Sequence, residues 1–322
     1  MIVILVAASI AAACSGRAAG ENGTKTLRVG HFPNVTHAHG LVAHALTREG
    51  KGWFEERLPE GTRVEWYTYN AGPSAMEALL SGSIDITYVG PNPAINAFIK
   101  SEGRDLRVIA GATYGGSALV VQGDSKISKP EDFRGKIIAS PQLGNTQDVA
   151  LRAWLTKQGY KITQTGGDVT VIPTQNPDQL ALFQTKDLDG VWTVEPWVSR
   201  IELEAKGKIY LSEKDAVTTV LVASDRIIKK QPDLVRQFTK AHAELTDWMI
   251  ANEARAKELL NKEIHAETSR PISRELLDRC WQRMSFRATI TPGDFQDFFE
   301  SARAAGFINS KQSLKGLVPL PQ

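Results

Sequence analysis

The chain has 322 residues, 42% of them apolar and 23% charged, which is the make-up of an ordinary globular protein and excludes a disordered or fibrous one. Lysine plus arginine, 38, nearly cancels aspartate plus glutamate, 36, and no basic run dominates any stretch, so the electrostatic footprint of a nucleic-acid binder is missing.

In chain order, the first thirteen residues, MIVILVAASIAAA, are wholly apolar and run into CSGRAAGENGT, which has no periodicity. This pattern predicts a signal segment over 1–13 and a tether over 14–25. The apolar run is shorter than the roughly 20 residues of a membrane-spanning helix. Ala11-Ala12-Ala13 before Cys14 resembles a bacterial lipobox. That resemblance implies cleavage, lipid attachment at Cys14, and a chain anchored to a membrane in the periplasm or at the cell surface. The only other cysteine, Cys280, sits among helix formers in LLDRCWQRM and reads as a half-buried helical residue rather than a nucleophile.

From Thr26 onward, β-rich runs alternate with amphipathic stretches. TLRVGHF, TRVEWYTY, IDITYV and LRVIAGAT read as strands, separated by helices over Ala38 to Phe54, GPSAMEALLSGS and PAINAFIKSEG. The order repeats after Gly115 with the strands SALVVQG, KIIASP, DVTVIPT and DGVWTV, and beyond Ser224 the chain becomes chiefly helical. The halves echo each other: MEALLSGSIDITYVGPNP and LALFQTKDLDGVWTVEPW bring Asp85 into correspondence with Asp189. This alternation predicts an α/β fold of two lobes, each a mainly parallel sheet flanked by helices. One lobe is expected over 26–115 plus 223–322 and the other over 116–222, with crossings near Tyr114 to Ser117 and Thr219 to Ala223.

Ligands of open α/β sheets gather where strand ends meet helix N-termini. Four such junctions stand out: NAGPS, GPNP over Gly90, Pro91, Asn92 and Pro93, PQLGNTQD, and VEPW. In GPNP, Asn92 reads as the helix cap and Pro93 as the first helical residue, which leaves the N–H groups of Ala94 and Ile95 for an anion. In PQLGNTQD, Asn145 or Thr146 caps the helix and Gln147 follows it. Asn34 and His37 stand at the start of the first helix, where an imidazole donates to a ligand oxygen. Phe32, Tyr114 and Trp192 adjoin strand ends or crossings and are expected to pack on an apolar ligand part. Glu195 favours a ligand bearing an amine if it faces the cleft, and is uninformative if it faces solvent. Four of the six histidines fall between His31 and His44, yet His37 and His39 point in different directions on a helix and no acidic ligand accompanies them, so no metal is expected. GxSxG, Walker, HExxH and CxxC patterns do not occur, and no cofactor is expected.

AGPSAMEALLSGSIDITYVGPNPAINAF, EDFRGKIIASPQLGNTQDVALRAWL and DLDGVWTVEPW together resemble the solute-binding proteins of bacterial ABC importers in the aliphatic-sulfonate, taurine and nitrate group. The likeness covers about Thr26 to Phe238. It implies the two-lobed periplasmic-binding-protein fold of the type with two crossings, which closes over a small anion such as an aliphatic sulfonate or taurine. It also implies monomeric action with a membrane permease and its ATPase. Residues at matching positions, Asn92 with its neighbours, Ser117, Asn145, Thr146, Gln147 and Trp192, are then implied ligand contacts. Enzymes on the same fold are implied to use cysteine or histidine chemistry. Cys14 in the leader and Cys280 in the helical tail leave no cysteine near a cleft loop, so a receptor is expected rather than an enzyme.

Overall fold

The computed structural model describes residues 25–163, 166–309 and 311–319; Cys14 and the expected signal segment and tether up to residue 24 lie outside these. In chain order, β1 (Lys25–His31), α1 (Ala38–Arg48), β2 (Thr62–Thr68), α2 (Gly72–Ser81), β3 (Ile86–Val89), α3 (Pro91–Lys100) and β4 (Leu106–Gly115) alternate strand and helix. β5 (Ser117–Val121), β6 (Ile137–Ser140), α4 (Thr146–Lys157), β7 (Thr170–Pro173), α5 (Asn176–Gln184), β8 (Gly190–Val194), α6 (Trp197–Ala205) and β9 (Lys208–Glu213) follow. The chain ends with β10 (Val217–Ser224), α7 (Asp225–Lys230), α8 (Pro232–Ala251), α9 (Glu253–Thr268), α10 (Arg274–Gln282), β11 (Met284–Phe286) and α11 (Gln296–Ala304).

The strands form two sheets, one in the order β11-β4-β10-β3-β1-β2 and the other β7-β6-β8-β5-β9. β1, β2 and β3 are parallel, as are β6, β7 and β8, and β10 and β5 run against their neighbours. The chain leaves the first sheet through Gly115 and Gly116, both with positive φ, 74° and 71°, which glycine adopts without strain. It returns between β9 and β10. β10 pairs with β3 and β4 along residues 217–224, so this return comes ahead of Thr219 to Ala223, where the sequence reading put it. Three strands escaped that reading, β10 among them because its residues read as a crossing. β9 is a half-exposed edge strand with little alternation, and β11 is three residues long.

Side-chain alternation along the central strands builds a core on each face of each sheet. Leu221 and Ala223 of β10 join a cluster with Leu27, Phe238 and Leu245, while Val220 and Val222 join Ile95, Val108 and Phe298. In β5, Leu119 and Val121 face Phe133 and Leu155, and Ala118 and Val120 face Phe183 and Ile201. The internal echo has a structural meaning. Asp85 accepts the backbone N–H of Arg28 at 3.0 Å and gives its own N–H to the Arg28 carbonyl; Asp189 does the same with Ile137 at 2.9 Å. Each aspartate thereby pins the start of a parallel strand to its neighbour.

Helix starts are set locally. Ser273 accepts the Leu276 N–H at 3.2 Å, and Ser224 accepts that of Ile227 at 3.4 Å. Replacing Ser273 by Ala is expected to remove about 1 kcal/mol of stability, measured by urea denaturation. No helix among the described residues is long and apolar enough to cross a membrane.

Candidate functional site

The carboxyl ends of β1, β3, β6 and β8 face one another across the gap between the sheets, and the helix starts of α1, α3 and α4 converge there. Residues of both sheets enclose a cavity of about 20 Å³, space for about one water. The walls are in contact. Asn92 N–H donates to Thr146 Oγ1 at 3.3 Å, Asn96 Nδ2 to the Gly144 carbonyl at 3.3 Å, and Trp197 Nε1 to Asn34 Oδ1 at 3.1 Å. The cleft is closed.

Phe32, Asn34, His37 and Gly90 line the cavity from the first sheet, and Asn145, Thr146 and Gln147 line it from the second. All seven were expected contacts, four of them from the GPNP and PQLGNTQD junctions that the sequence singled out. Asn70, Pro141 and Val194, from NAGPS, PQLGNTQD and VEPW, join them. Thr36, Asn176 and Thr218 also line it and were not foreseen. Asn176-Pro177 at the start of α5 repeats the Asn-Pro pattern of GPNP and was the available signal.

The remaining expected contacts lie elsewhere, each for a visible reason. α3 begins two residues earlier than expected: Gly90 is the cap and Pro91 the first helical residue. Ala94 N–H is therefore used by the Gly90 carbonyl, at 3.4 Å, and Asn92 is buried with Nδ2 donating to the Phe298 carbonyl at 3.1 Å. Pro91 is buried behind the cavity wall. Tyr114 turns into the first lobe, its hydroxyl on the Thr289 carbonyl and the Arg287 guanidinium 3.7 Å from its ring centre. Ser117 receives Trp192 Nε1 at 3.1 Å and donates to Glu213 at 2.6 Å, so Ser117 and Trp192 are committed to each other inside the second lobe. Burial pushes the Glu213 carboxyl up.

Glu195 faces neither the cavity nor solvent. It is fully buried, accepts the Ser199 N–H and hydroxyl, and pairs with Arg283 at 3.0 Å, while Cys280 Sγ lies 3.3 Å from Oε2. Arg283 also bonds Glu202, so this cluster ties the α10–β11 segment to α6 across the lobes. Cys280 is fully buried rather than half-buried. Burial and the Glu195 carboxylate raise its thiol well above the ordinary range, the opposite of activation.

No lining residue carries a formal charge among the described residues. What the cavity offers is donors. Asn34 Oδ1 already accepts from Trp197 and Asn176 Oδ1 from Thr193, at 3.3 Å, which leaves both Nδ2 groups uncommitted. His37 Nδ1 is buried without a partner, and the ring stacks on Phe32 at 4.1 Å. Burial, reinforced by His31, holds His37 well below the ordinary imidazole range, so it is neutral near pH 7. The first-turn N–H groups of α4, at Thr146 and Gln147, have no intrahelical acceptor, and the helix dipole makes this end positive. Asp148 fixes that end: it accepts from Ser140 Oγ, Gly144 N and Arg152 Nε at 2.8, 2.9 and 3.0 Å.

The NMT1-like family matches over residues 20–261. The taurine-binding periplasmic protein of Escherichia coli (strain K12) is 30% identical over 227 residues, 68% of this chain and 67% of that one. Among solved structures, the alkanesulfonate-binding protein SsuA from Xanthomonas axonopodis pv. citri, bound to MOPS, has a TM-score of 0.73 at 20% identity, covering 91% of this chain and 97% of that one. The periplasmic nitrate-binding protein NrtA from Synechocystis PCC 6803 has a TM-score of 0.68 at 14% identity, covering 90% and 84%. These likenesses show the two-lobed periplasmic-binding-protein fold.

Proposed function

This chain belongs to the NMT1-like family, and from that premise we propose that it is an extracytoplasmic solute receptor that closes over a small organic anion and delivers it to an ABC importer. One observation carries the reading: the inter-lobe cavity is rich in uncommitted donors and holds no charged side chain. An anion entering it meets the α4 N-terminus, Thr146, His37 Nδ1 and the two asparagine amides, and each such interaction is stronger away from water. Because donors come from both lobes, the solute stabilises the closed form by contacts that the open form lacks. The mature chain, lipidated at Cys14 and acting as a monomer, then presents the closed form to the permease and its ATPase.

The solute class that the lining chemistry favours is an aliphatic sulfonate. With Glu195 turned away into its pair with Arg283, a ligand ammonium finds no carboxylate in the cavity lining, so an alkanesulfonate is favoured over taurine. The Phe32 and His37 rings provide the apolar wall for the alkyl part. A thermal-shift panel of alkanesulfonates, taurine, nitrate, bicarbonate and a pyrimidine tests this: alkanesulfonates are expected to raise the melting temperature most. A rise with the neutral pyrimidine alone would overturn the anion reading. Thr146→Ala is expected to weaken binding about tenfold, ~1.4 kcal/mol, by calorimetry. Asn92→Ala, by contrast, is expected to lower stability, because its amide serves Phe298.

A further inference from the structure

Outside the cavity, at the carboxyl end of β1, two histidines and two glutamates converge. His31 Nε2 lies 3.2 Å from His44 Nδ1 and 3.0 Å from Glu267 Oε1, and His44 Nδ1 lies 3.1 Å from the same oxygen. Glu263 Oε1 is 2.9 Å from His44 Nδ1. His31 and Glu263 are fully buried, and Glu267 is nearly so at its side chain, 4% exposed.

One hydrogen bond per ring nitrogen leaves contacts over in this arrangement. A ring nitrogen carries either one proton or one lone pair in its plane, and so makes one bond. Here His44 Nδ1 has three polar neighbours and His31 Nε2 has two. Glu267 Oε2 is in addition buried with no partner. A cation at the centre engages both ring nitrogens and Glu267 Oε1 at once. Tetrahedral zinc, with bonds of about 2.0–2.2 Å, holds its ligand atoms about 3.3 Å apart, close to the 3.0–3.2 Å triangle seen here.

We propose that His31, His44 and Glu267 bind a divalent transition-metal ion of the zinc class, with Glu263 as the fourth ligand or its immediate neighbour. Two imidazoles and a carboxylate suit zinc and its first-row neighbours rather than magnesium or calcium. Supporting contacts are in place. His31 Nδ1 faces the Phe32 carbonyl at 3.4 Å, which places its proton there and leaves the Nε2 lone pair for the metal. Trp66 stacks on His44 at 5.5 Å, and Arg48 holds both oxygens of Glu263 at 2.9 and 3.0 Å. Gly40 lets α1 lie close enough to β1 for the two rings to meet, since a Cβ there would stand 2.7 Å from His31 Cβ. Glu267 also lines a groove of about 430 Å³ with Asn34 and Asn70, which provides a path from solvent. The histidine cluster is visible in the sequence, but its acidic partners are not, because the glutamates lie on α9, more than 200 positions away. The metal pins α9 to β1 one residue from Phe32 of the cavity wall.

The test is calorimetric titration of the chelator-treated mature protein with Zn2+, and with Co2+ followed by visible absorption. One ion per chain, an intense tetrahedral Co2+ spectrum, and affinity reduced at least tenfold by His44→Ala and by Glu267→Gln are expected. His265→Ala, at an exposed position on α9, is expected to bind as the wild type does. Absence of binding, or binding that survives both cluster variants or is lost with His265, overturns the proposal. If the cluster variants do not fold, the wild-type Co2+ spectrum decides: octahedral, weakly absorbing cobalt refutes the site.

Discussion

Gly90→Ala is expected to bind solute about a hundredfold more weakly than the wild type, about 2.7 kcal/mol, while the solute-free protein unfolds at an unchanged temperature. The residue has φ −69° and ψ 156°, a conformation open to alanine, so the folded lobe suffers no strain. The conflict arises only on closure, when a Cβ at position 90 would stand 2.5 Å from Thr146 Oγ1 on the opposite lobe. Thr146 Cβ would be 3.5 Å away, an ordinary contact. The double variant Gly90→Ala/Thr146→Ala therefore closes, and is expected to bind no worse than Thr146→Ala alone. Calorimetry gives the affinities, and small-angle scattering with and without solute reports closure. Equal weakness in the double and the Gly90→Ala variant would remove closure as the cause.

Acid is expected to destabilise the protein strongly, by about 3 kcal/mol between neutrality and about pH 4, through His242 alone. His242 is fully buried, donates Nε2–H to the Gly111 carbonyl at 2.7 Å and accepts from the Tyr88 hydroxyl at 3.0 Å. Burial lowers its pKa to about 4. The unfolded chain takes up a proton below about 6.5 and the folded chain does not, so stability is complete above that value and is lost as pH falls to about 4. His39, its ring 4.7 Å from that of His242, is depressed by burial too and acts in the same direction. Urea denaturation at about pH 7 and about pH 4.5 measures the slope. His242→Gln, which keeps a donor and an acceptor but no titrating group, is expected to flatten it; an identical slope in both proteins would refute the assignment.

Much of the fold was legible because its cause is local. The helix and strand periods, the proline and asparagine punctuation of GPNP and PQLGNTQD, and the Asp85–Asp189 echo all act within a few residues, and each marks a real element or junction. The cavity was half legible for the same reason: Asn34, His37, Thr146 and Gln147 sit at helix starts that face the other lobe. What sequence could not supply was pairing over distance. Ser117, Trp192 and Glu213 bond one another across as many as 96 positions, and Glu195 finds Arg283 across 88, so side chains that looked free at a strand end were already engaged. The cap of α3 failed on a finer point. Two prolines two residues apart both qualify as a first-turn residue, and the sequence does not say which one starts the helix.

The place of β10 in the first sheet bears on the order in which the protein assembles. β3 and β4 do not touch each other as strands; both pair with β10, whose residues are made only after the whole second lobe has been synthesised. Until residue 224 emerges, the first lobe is two fragments with raw edges, whereas the second, continuous over 117–213, has all its strands. Nucleation therefore belongs to the second lobe, and the first waits on a long-range closure that is entropically slow. A nascent chain of this topology stays incompletely folded through most of its synthesis.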